Sequence, residues 1–181
     1  MNLVFRLILL VLKKLWRVDP RQPLETSEVE FICLPHDCDF HGHLTNSRYA
    51  SFCDLARIGA MFDQGSLTKL LREGCTPVIT AQEAVHYKEI APLQKFQVKS
   101  TILGWDERFW IFRHDFYQKG QLKASVLAKG IFVRRKKLIP FAKVLEIAGH
   151  QLTSPPLPAY AVEWNRQSDV LYQNIKRSGD Y

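Results

Sequence analysis

The chain has 181 residues, of which 46% are hydrophobic and 12% aromatic, enough for the core of one domain and too many for a disordered chain. Its 25 Lys and Arg exceed its 18 Asp and Glu, and the net charge of +7 favours anionic partners. No long basic run, zinc-finger spacing or aromatic RNA-binding strand occurs, which argues against a nucleic-acid-binding protein.

The cysteines show no Cys-x-x-Cys pair and no spacing typical of a metal site. They are Cys33, Cys38, Cys53 and Cys75. Because free cysteines of this kind are typical of a reducing compartment, we expect the protein in the cytoplasm.

The N-terminal segment, residues 1–18, is richer in apolar side chains than the rest of the chain. Its longest apolar run, residues 7–12, is far shorter than the roughly 20 apolar residues of a membrane-spanning helix, and no signal-peptide cleavage site follows. Wound as a helix, the segment gathers its basic side chains in one arc, at Arg6, Lys13, Lys14 and Arg17. This pattern favours a helix in a membrane interface with its cations near lipid phosphates. The alternatives are a helix docked on its own domain or on a partner subunit, and a cleaved targeting segment.

The remaining elements follow in chain order. Alternating apolar residues predict a strand at 29–34, and three- and four-residue apolar spacing predicts an enclosed helix at 47–64. A short helix at 66–73 comes next. Four long strands are then predicted at 78–90, 95–101, 109–117 and 122–135, the last three as an antiparallel meander.

This order predicts an α+β domain, in which a curved antiparallel sheet of about five strands wraps around one central helix. We assign it to residues 25–150, between an N-terminal segment with linker (1–24) and a Pro-rich, helical tail (151–181). Such a sheet leaves an edge strand unpaired. Because pairing two copies edge to edge would bury it, we expect a homodimer or a dimer of dimers.

The most unusual segment is the polar loop before the long helix. Five ionisable side chains crowd into positions 36–43, namely His36, Asp37, Asp39, His41 and His43. A metal site is disfavoured, because no completing pair of ligands stands out elsewhere in the chain. A serine hydrolase is disfavoured because no Gly-x-Ser-x-Gly elbow occurs.

Residues 37–49 resemble the entry to the central helix of hot-dog-fold acyl thioesterases, which include the 4-hydroxybenzoyl-CoA and the acyl-carrier-protein thioesterases. The carrier-protein enzymes show the pattern Asp-x-Asp-x-Asn-x-His-x-Asn-Asn-x-x-Tyr. This chain matches the pattern at Asp37, Asp39, His43, Asn46 and Tyr49. It departs from the pattern at His41 and Thr45. It is similar in particular to thioesterase superfamily member six proteins, which share the hydrophobic start and resemble it at 103–106 and 155–158.

The resemblance implies a hot-dog fold that hydrolyses acyl-CoA or acyl-carrier-protein thioesters, and we expect the site to be shared between subunits. Asp39 would act as nucleophile or general base, and His43 would orient water or accept its proton. Asn46 would bond the loop or the substrate carbonyl, or cap the helix. Free backbone amides where the helix begins would stabilise the oxyanion.

Further residues have weaker assignments. His41 and Tyr49 would contact substrate or be structural, and Arg134 and Arg135 would hold coenzyme A phosphates or be solvated. Asp37 is read as a structural residue of the loop. The carrier-protein enzymes place a carboxylate on the strand after the helix, a role that Glu83 and Glu89 both fit.

Coenzyme A enters this interpretation only as part of the substrate, and we expect no separate cofactor, no metal and no nucleic acid. The alternative is a membrane-attached hot-dog protein that binds acyl thioesters or lipids without turnover. The departures at His41 and Thr45 motivate it.

Overall fold

The computed structural model describes residues 2–16 and 20–178. In chain order the elements are α1 (Asn2–Trp16), β1 (Ser27–Ile32), a one-turn 3₁₀ helix (Pro35–Asp37), α2 (Asn46–Asp63), α3 (Leu67–Arg72), β2 (Cys75–His86), β3 (Lys95–Trp105), β4 (Trp110–Gln118), β5 (Gln121–Arg134), β6 (Lys137–Ile139), α4 (Phe141–Ala148) and α5 (Ala159–Ser178).

The strands form one antiparallel sheet in the order β1-β3-β4-β5-β2, and β6 pairs with the last residues of β5. The predicted α+β class, the long helix and the long strands are therefore confirmed. The short elements β6 and α4 were not predicted, because three and eight residues carry too little periodicity. β2 ends at His86, since the next two amides both donate to the Lys123 carbonyl.

α2 is the central helix and packs on the inner face of the sheet. Its Phe52 ring meets Phe96 of β3 edge-on, with centroids 4.9 Å apart. At Gly59 the helix approaches β1 so closely that a Cβ would stand 2.6 Å from Cγ2 of Val29. Inward-facing side chains of β1, β3, β4 and β5 join α2 in one buried cluster. Burial of this apolar surface holds the sheet around the helix.

α1 docks on α2 with two of its basic side chains, Arg6 and Lys14, turned inward. Arg6 pairs with the buried Asp37, and Lys14 is itself buried and pairs with the buried Asp63, which also accepts a hydrogen bond from Ser27 at 3.0 Å. The expectation that Arg6 and Lys14 face lipid phosphates is therefore wrong. Removing either cation would take from a buried carboxylate its ion-pair partner on α1, an outcome that costs several kcal/mol, about 3–5 each.

The opposite side of α1 is apolar and exposed. The exposed side chains are Val4, Phe5, Ile8, Leu9, Leu12, Leu15 and Trp16. Lys13 is exposed as well, and Arg17 lies outside the described residues. Across the residues that the structure describes, no helix combines the length and the hydropathy needed to cross a bilayer.

α5 lies on the outer face of the sheet. Its Ala161 and Trp164 pack with Leu103, Ile111 and Leu127 of β3, β4 and β5. The outer face is thus covered over these three strands, whereas β2 is exposed along most of its length.

A polar network links α2 to the middle of the sheet. His114 of β4 is fully buried, with Nδ1 2.8 Å from Oγ of Ser100 and Nε2 3.0 Å from Nη1 of Arg57. Because the guanidinium only donates, Nε2 must accept, and the proton stands on Nδ1, facing Ser100. Burial, and then the neighbouring Arg57 charge, hold the pKa of His114 well below its ordinary value of 6.5.

We predict that His114 makes folding sensitive to acid. The folded state keeps the imidazole neutral, whereas the unfolded chain takes up a proton near pH 6.5, so stability is complete above that pH and falls below it. This one group contributes a slope of about 1.4 kcal/mol per pH unit to the unfolding free energy. The side-chain amide in His114→Gln can make both hydrogen bonds but does not titrate. The unfolding free energy of this variant, measured with urea between pH 7 and about pH 5, should therefore lack this pH dependence. Identical pH slopes in the two proteins would contradict the assignment.

Candidate active site

The loop before α2 folds back as a narrow hairpin. Cys38 and Leu44 pair across it, the Asp39 amide donates to the His43 carbonyl at 3.0 Å, and the Gly42 amide donates to the Asp39 carbonyl at 3.0 Å. Gly42 has φ +78°, in the left-handed region that favours glycine. The turn therefore brings Asp39 and His43 opposite one another.

Two further bonds fix the hairpin against the domain. The Leu44 amide donates to the Ile90 carbonyl at 3.1 Å, and the Thr45 amide donates to the Asp37 carbonyl at 2.9 Å. The first bond ties the hairpin to the segment that follows β2. The second directs the chain into α2.

Asp39 and His43, both predicted site residues, lie side by side. Oδ1 of Asp39 accepts the His41 amide at 2.9 Å, and Oδ2 lies 3.6 Å from Nδ1 of His43. The Asp39 side chain is 25% exposed and that of His43 is 37% exposed. One carboxylate oxygen is thus positioned by the loop, and the other faces the imidazole within reach of solvent.

The first turn of α2 offers backbone donors. Thr45 precedes the helix in extended conformation, and its side chain makes no cap bond. Asn46 is the first helical residue and its side chain is exposed, so its predicted role as cap is wrong. No acceptor among the described residues bonds the amides of Asn46 and Ser47. These donors stand at the positive end of an 18-residue helix, a site that favours an anion.

Asp37 has a different environment from Asp39. Its side chain is 1% exposed, pairs with Arg6, accepts the Leu34 amide at 3.0 Å and lies 3.6 Å from Nε of Arg48. Arg6 also donates to the Ile32 carbonyl at 3.1 Å. Asp37 is thus a structural anchor that joins α1, the loop and α2.

Tyr49 lies inside the domain, behind the hairpin. It is 3% exposed, and its ring stands edge-on to His86 with centroids 4.5 Å apart. Burial, followed by nearby negative charge that includes Glu89, raises the pKa of Tyr49 to about 12. Burial also lowers the pKa of His86. A protonated phenol and a neutral imidazole therefore meet where β2 ends. In the sequence, only the position of His86 in the predicted strand indicated that it could belong to the site.

The structure separates the two candidates for the second carboxylate. Glu83 pairs with Leu127 in the β2–β5 register, and it lines an outer-face groove with Trp164 of α5. It therefore lies on the face of the sheet opposite α2, and its predicted role is wrong. Glu89 follows β2 on the side of Tyr49.

Arg134 and Arg135 do not converge with Asp39 in the single chain, whereas His41 belongs to the same hairpin. The His41 side chain is at the exposed tip, where its ring stacks on that of His43 and is tilted against that of Phe40. Arg134 donates to the Glu73 carbonyl at 2.9 Å and pairs with the Glu73 carboxylate, opposite Cys75 at the start of β2. The length of the strand, about 36 Å, separates this end from His86. Within one chain these arginines therefore lie far from Asp39, and their predicted contact with coenzyme A phosphates at a site shared between subunits stays a prediction.

The other reactive groups do not form a second catalytic site. The four cysteines are free, and burial raises the pKa of Cys33 to about 12, which keeps it a thiol. Ser100 and His114 lie as close as a nucleophile and its base, but the Nδ1 proton leaves His114 without a lone pair facing Ser100. Within the described residues, no group of three or more His, Cys, Asp or Glu side chains is arranged to hold a metal ion.

Sequence comparison with known proteins assigns the chain to a family. The sequence profile of the thioesterase-like superfamily matches residues 33–164. The THEM6 protein of Xenopus laevis is 27% identical over 175 residues, which cover 93% of this chain and 81% of that protein. A probable thioesterase of Saccharomyces cerevisiae is 31% identical over 119 residues, 64% of this chain and 51% of the yeast protein. The chain thus spans about half the length of the yeast relative.

Solved structures share the fold. A DHNA-CoA thioesterase from Staphylococcus aureus superposes with TM-score 0.60 at 17% identity, covering 85% of this chain and 95% of the enzyme. A 4-hydroxybenzoyl-CoA thioesterase variant complexed with 4-hydroxybenzoyl-CoA gives TM-score 0.60 at 15% identity, covering 68% and 98%. The sheet wrapped around α2 is therefore a hot-dog fold. The chain belongs to the thioesterase-like superfamily and is a thioester hydrolase.

Proposed function

We propose that the chain hydrolyses acyl thioesters of coenzyme A, or of acyl-carrier protein, to the free acid and the thiol at the hairpin before α2. The observation that carries this proposal is the partly exposed Asp39 carboxylate on a loop that leads into α2. The first amides of α2 meet no acceptor within the described part of the chain. Solved relatives of the same fold act on aromatic acyl-CoA thioesters.

Asp39 supplies the base or the nucleophile. As a base, its Oδ2 takes a proton from water while the water oxygen adds to the thioester carbon, and the C–S bond then breaks to release the thiolate. As a nucleophile, Oδ2 forms a mixed anhydride with release of the thiol, and water then cleaves the anhydride. His43, 3.6 Å from Oδ2, orients the water or accepts its proton.

The carbonyl oxygen becomes negative in both routes, and the amides of Asn46 and Ser47 are the donors proposed for it. One such donor is worth roughly 10²–10³ in rate. Tyr49 borders the site from inside the domain, and the exposed His86 and Glu89 border it where β2 ends. His41 contacts the substrate at the tip of the hairpin. The reaction uses side chains and backbone alone, and coenzyme A enters only as part of the substrate.

A second copy completes the site in this proposal. β2 has β5 on one side and no strand on the other among the described residues, and its 12 residues are mostly exposed. Antiparallel pairing of two β2 edges joins the sheets into one, as expected for a homodimer, and two dimers would assemble into a dimer of dimers. With the edges fully overlapped, the start of one β2 lies beside the end of the other. Arg134 and Arg135 of the partner subunit then approach the His86 end, where they would meet coenzyme A phosphates.

α1 is proposed to hold the enzyme at a cytoplasmic membrane surface. Arg6 and Lys14 fix one side of α1 on the domain, and the opposite side presents a continuous apolar stripe to solvent. Insertion of this stripe into the lipid headgroup region would bury it, and the exposed Lys13 lies where a lipid phosphate could pair with it.

We predict that Asp39→Asn abolishes hydrolysis and preserves the fold. Loss of the base should lower kcat by about 10²–10⁴ for the best acyl-CoA, because the amide neither accepts the proton nor attacks the thioester. Thiol release across acyl chain lengths measures kcat, and urea unfolding measures stability. Wild-type rates in the variant would refute the role of Asp39. Saturable acyl-CoA binding without thiol release in the wild type would favour the non-catalytic binder.

Asp37→Asn is the matched control, two residues away in the same loop. It removes a buried charge that pairs with Arg6, so we expect a loss of about 3–5 kcal/mol in unfolding free energy, and Asp39→Asn should stay within about 1 kcal/mol of wild type. Equal destabilisation by the two variants would show that the structural and catalytic roles are not divided in this way.

We predict that Leu9→Glu with Leu12→Glu releases the protein from membranes without unfolding it. Both side chains are about half exposed, at 50% and 49%, and neither takes part in the ion pairs of α1. Flotation with vesicles that contain anionic lipid measures binding. Val162→Glu, an exposed apolar position on α5, is the control. Co-flotation of the double variant at the wild-type level would contradict the membrane role of α1.

A further inference from the structure

α5 crosses the strands of the outer face one after another. Before the helix begins, Leu157 approaches Gly104 of β3. Tyr160 then accepts a hydrogen bond from Arg113 of β4 at 3.0 Å. Asn165, Ser168 and Asp169 all bond Nζ of Lys129 on β5, at 2.9, 2.8 and 2.7 Å. The helix therefore runs from β3 across β5 toward the exposed edge strand β2.

The second half of α5 leaves the sheet of its own chain. Asp169 is the last partly buried residue, and the side chains from 170 to 177 are all exposed. Four of them are large apolar side chains, Val170 (49%), Leu171 (61%), Tyr172 (42%) and Ile175 (43%). A surface helix normally turns such residues toward protein, but within the described residues these four side chains remain exposed.

A second copy joined at β2 supplies that surface. Val170–Ser178 is about 13 Å long at 1.5 Å per residue, and adjacent strands are about 4.8 Å apart. This length exceeds two strand spacings, so a helix that continues across the strands extends from β5 past its own β2 to the β2 of the partner. The outer face of β2 presents Val78 and Val85, exposed apolar side chains, and the acidic Glu83. Lys176 and Arg177, in the last turn of α5, carry the complementary charge.

We propose that residues 170–178 of α5 form a clamp that crosses the β2 seam and packs on the outer sheet face of a second copy of this chain. The clamp rests on the β2 dimer proposed above. Two-fold symmetry forms it twice, with Leu171 and Ile175 buried against the partner's β2 and the basic end near Glu83 of the partner subunit. The interface is then a strand pair covered by two helices and not a bare strand pair.

The test is the dimer dissociation constant of full-length Leu171→Glu with Ile175→Glu, measured by sedimentation velocity over a dilution series. These residues are one turn apart on one helix face, and both are exposed in the single chain, so the fold is unaffected. We expect the dissociation constant to rise at least about tenfold, equivalent to about 1.4 kcal/mol. Val162→Glu, on the half of α5 that lies over its own sheet, should leave it unchanged.

Hydrogen exchange on the wild type gives a second readout that needs no variant. Amides of 170–178 should be protected above the dissociation constant and exchange faster on dilution below it. A dimer that both glutamates leave intact overturns the clamp and leaves the β2 dimer standing, and a chain that is monomeric at every concentration overturns both. Dissociation of a tetramer into unchanged dimers would place the residues between dimers and also overturn the clamp.

Discussion

The arrangement of the site depends on one buried carboxylate. Asp37 has 1% of its side chain exposed, yet it remains paired because α1 brings Arg6 to it and α2 brings Arg48 near it. Its backbone carbonyl also accepts the Thr45 amide, the last bond before α2 begins. A charge removed from water this far must keep its partners. The need for pairing therefore holds α1, the hairpin and the start of α2 in one arrangement, and Asp39, two residues later, stays partly exposed.

The same physics explains why two aspartates in one short motif differ. Asp37 is buried and paired with cations, whereas a quarter of the Asp39 side chain is exposed to solvent and its carboxylate faces an imidazole. A base that must meet a substrate has to retain such access. The N-terminal segment, which lies outside the assigned domain, is part of this arrangement because it provides Arg6.

Much of the fold and the centre of the site could be predicted from sequence. The apolar periodicity of α2 and the spacing of the motif are local, so they show where Asp39, His43 and the start of the helix meet. The orientation of α1 is not local. Arg6 and Lys14 find their carboxylates 31 and 49 residues away, and no periodicity reveals whether a cation pairs with a lipid phosphate or with a distant buried aspartate. The sequence also did not show on which face of the sheet Glu83 lies, since β2 contains a register shift between Ile79 and Ala81 that breaks simple alternation. The contact predicted between Arg134 and coenzyme A depends on a second chain, because Arg134 lies at the end of β2 that is far from His86.

The central claim is that a thioester carbonyl sits between the Asp39 carboxylate and the first amides of α2. A crystal structure of the Asp39→Asn variant with an unhydrolysed acyl-CoA tests it directly. The account predicts the carbonyl oxygen about 3 Å from the amides of Asn46 and Ser47, with its carbon facing residue 39. A thioester bound in the outer-face groove beneath α5, or with its carbonyl turned away from the helix start, would contradict it.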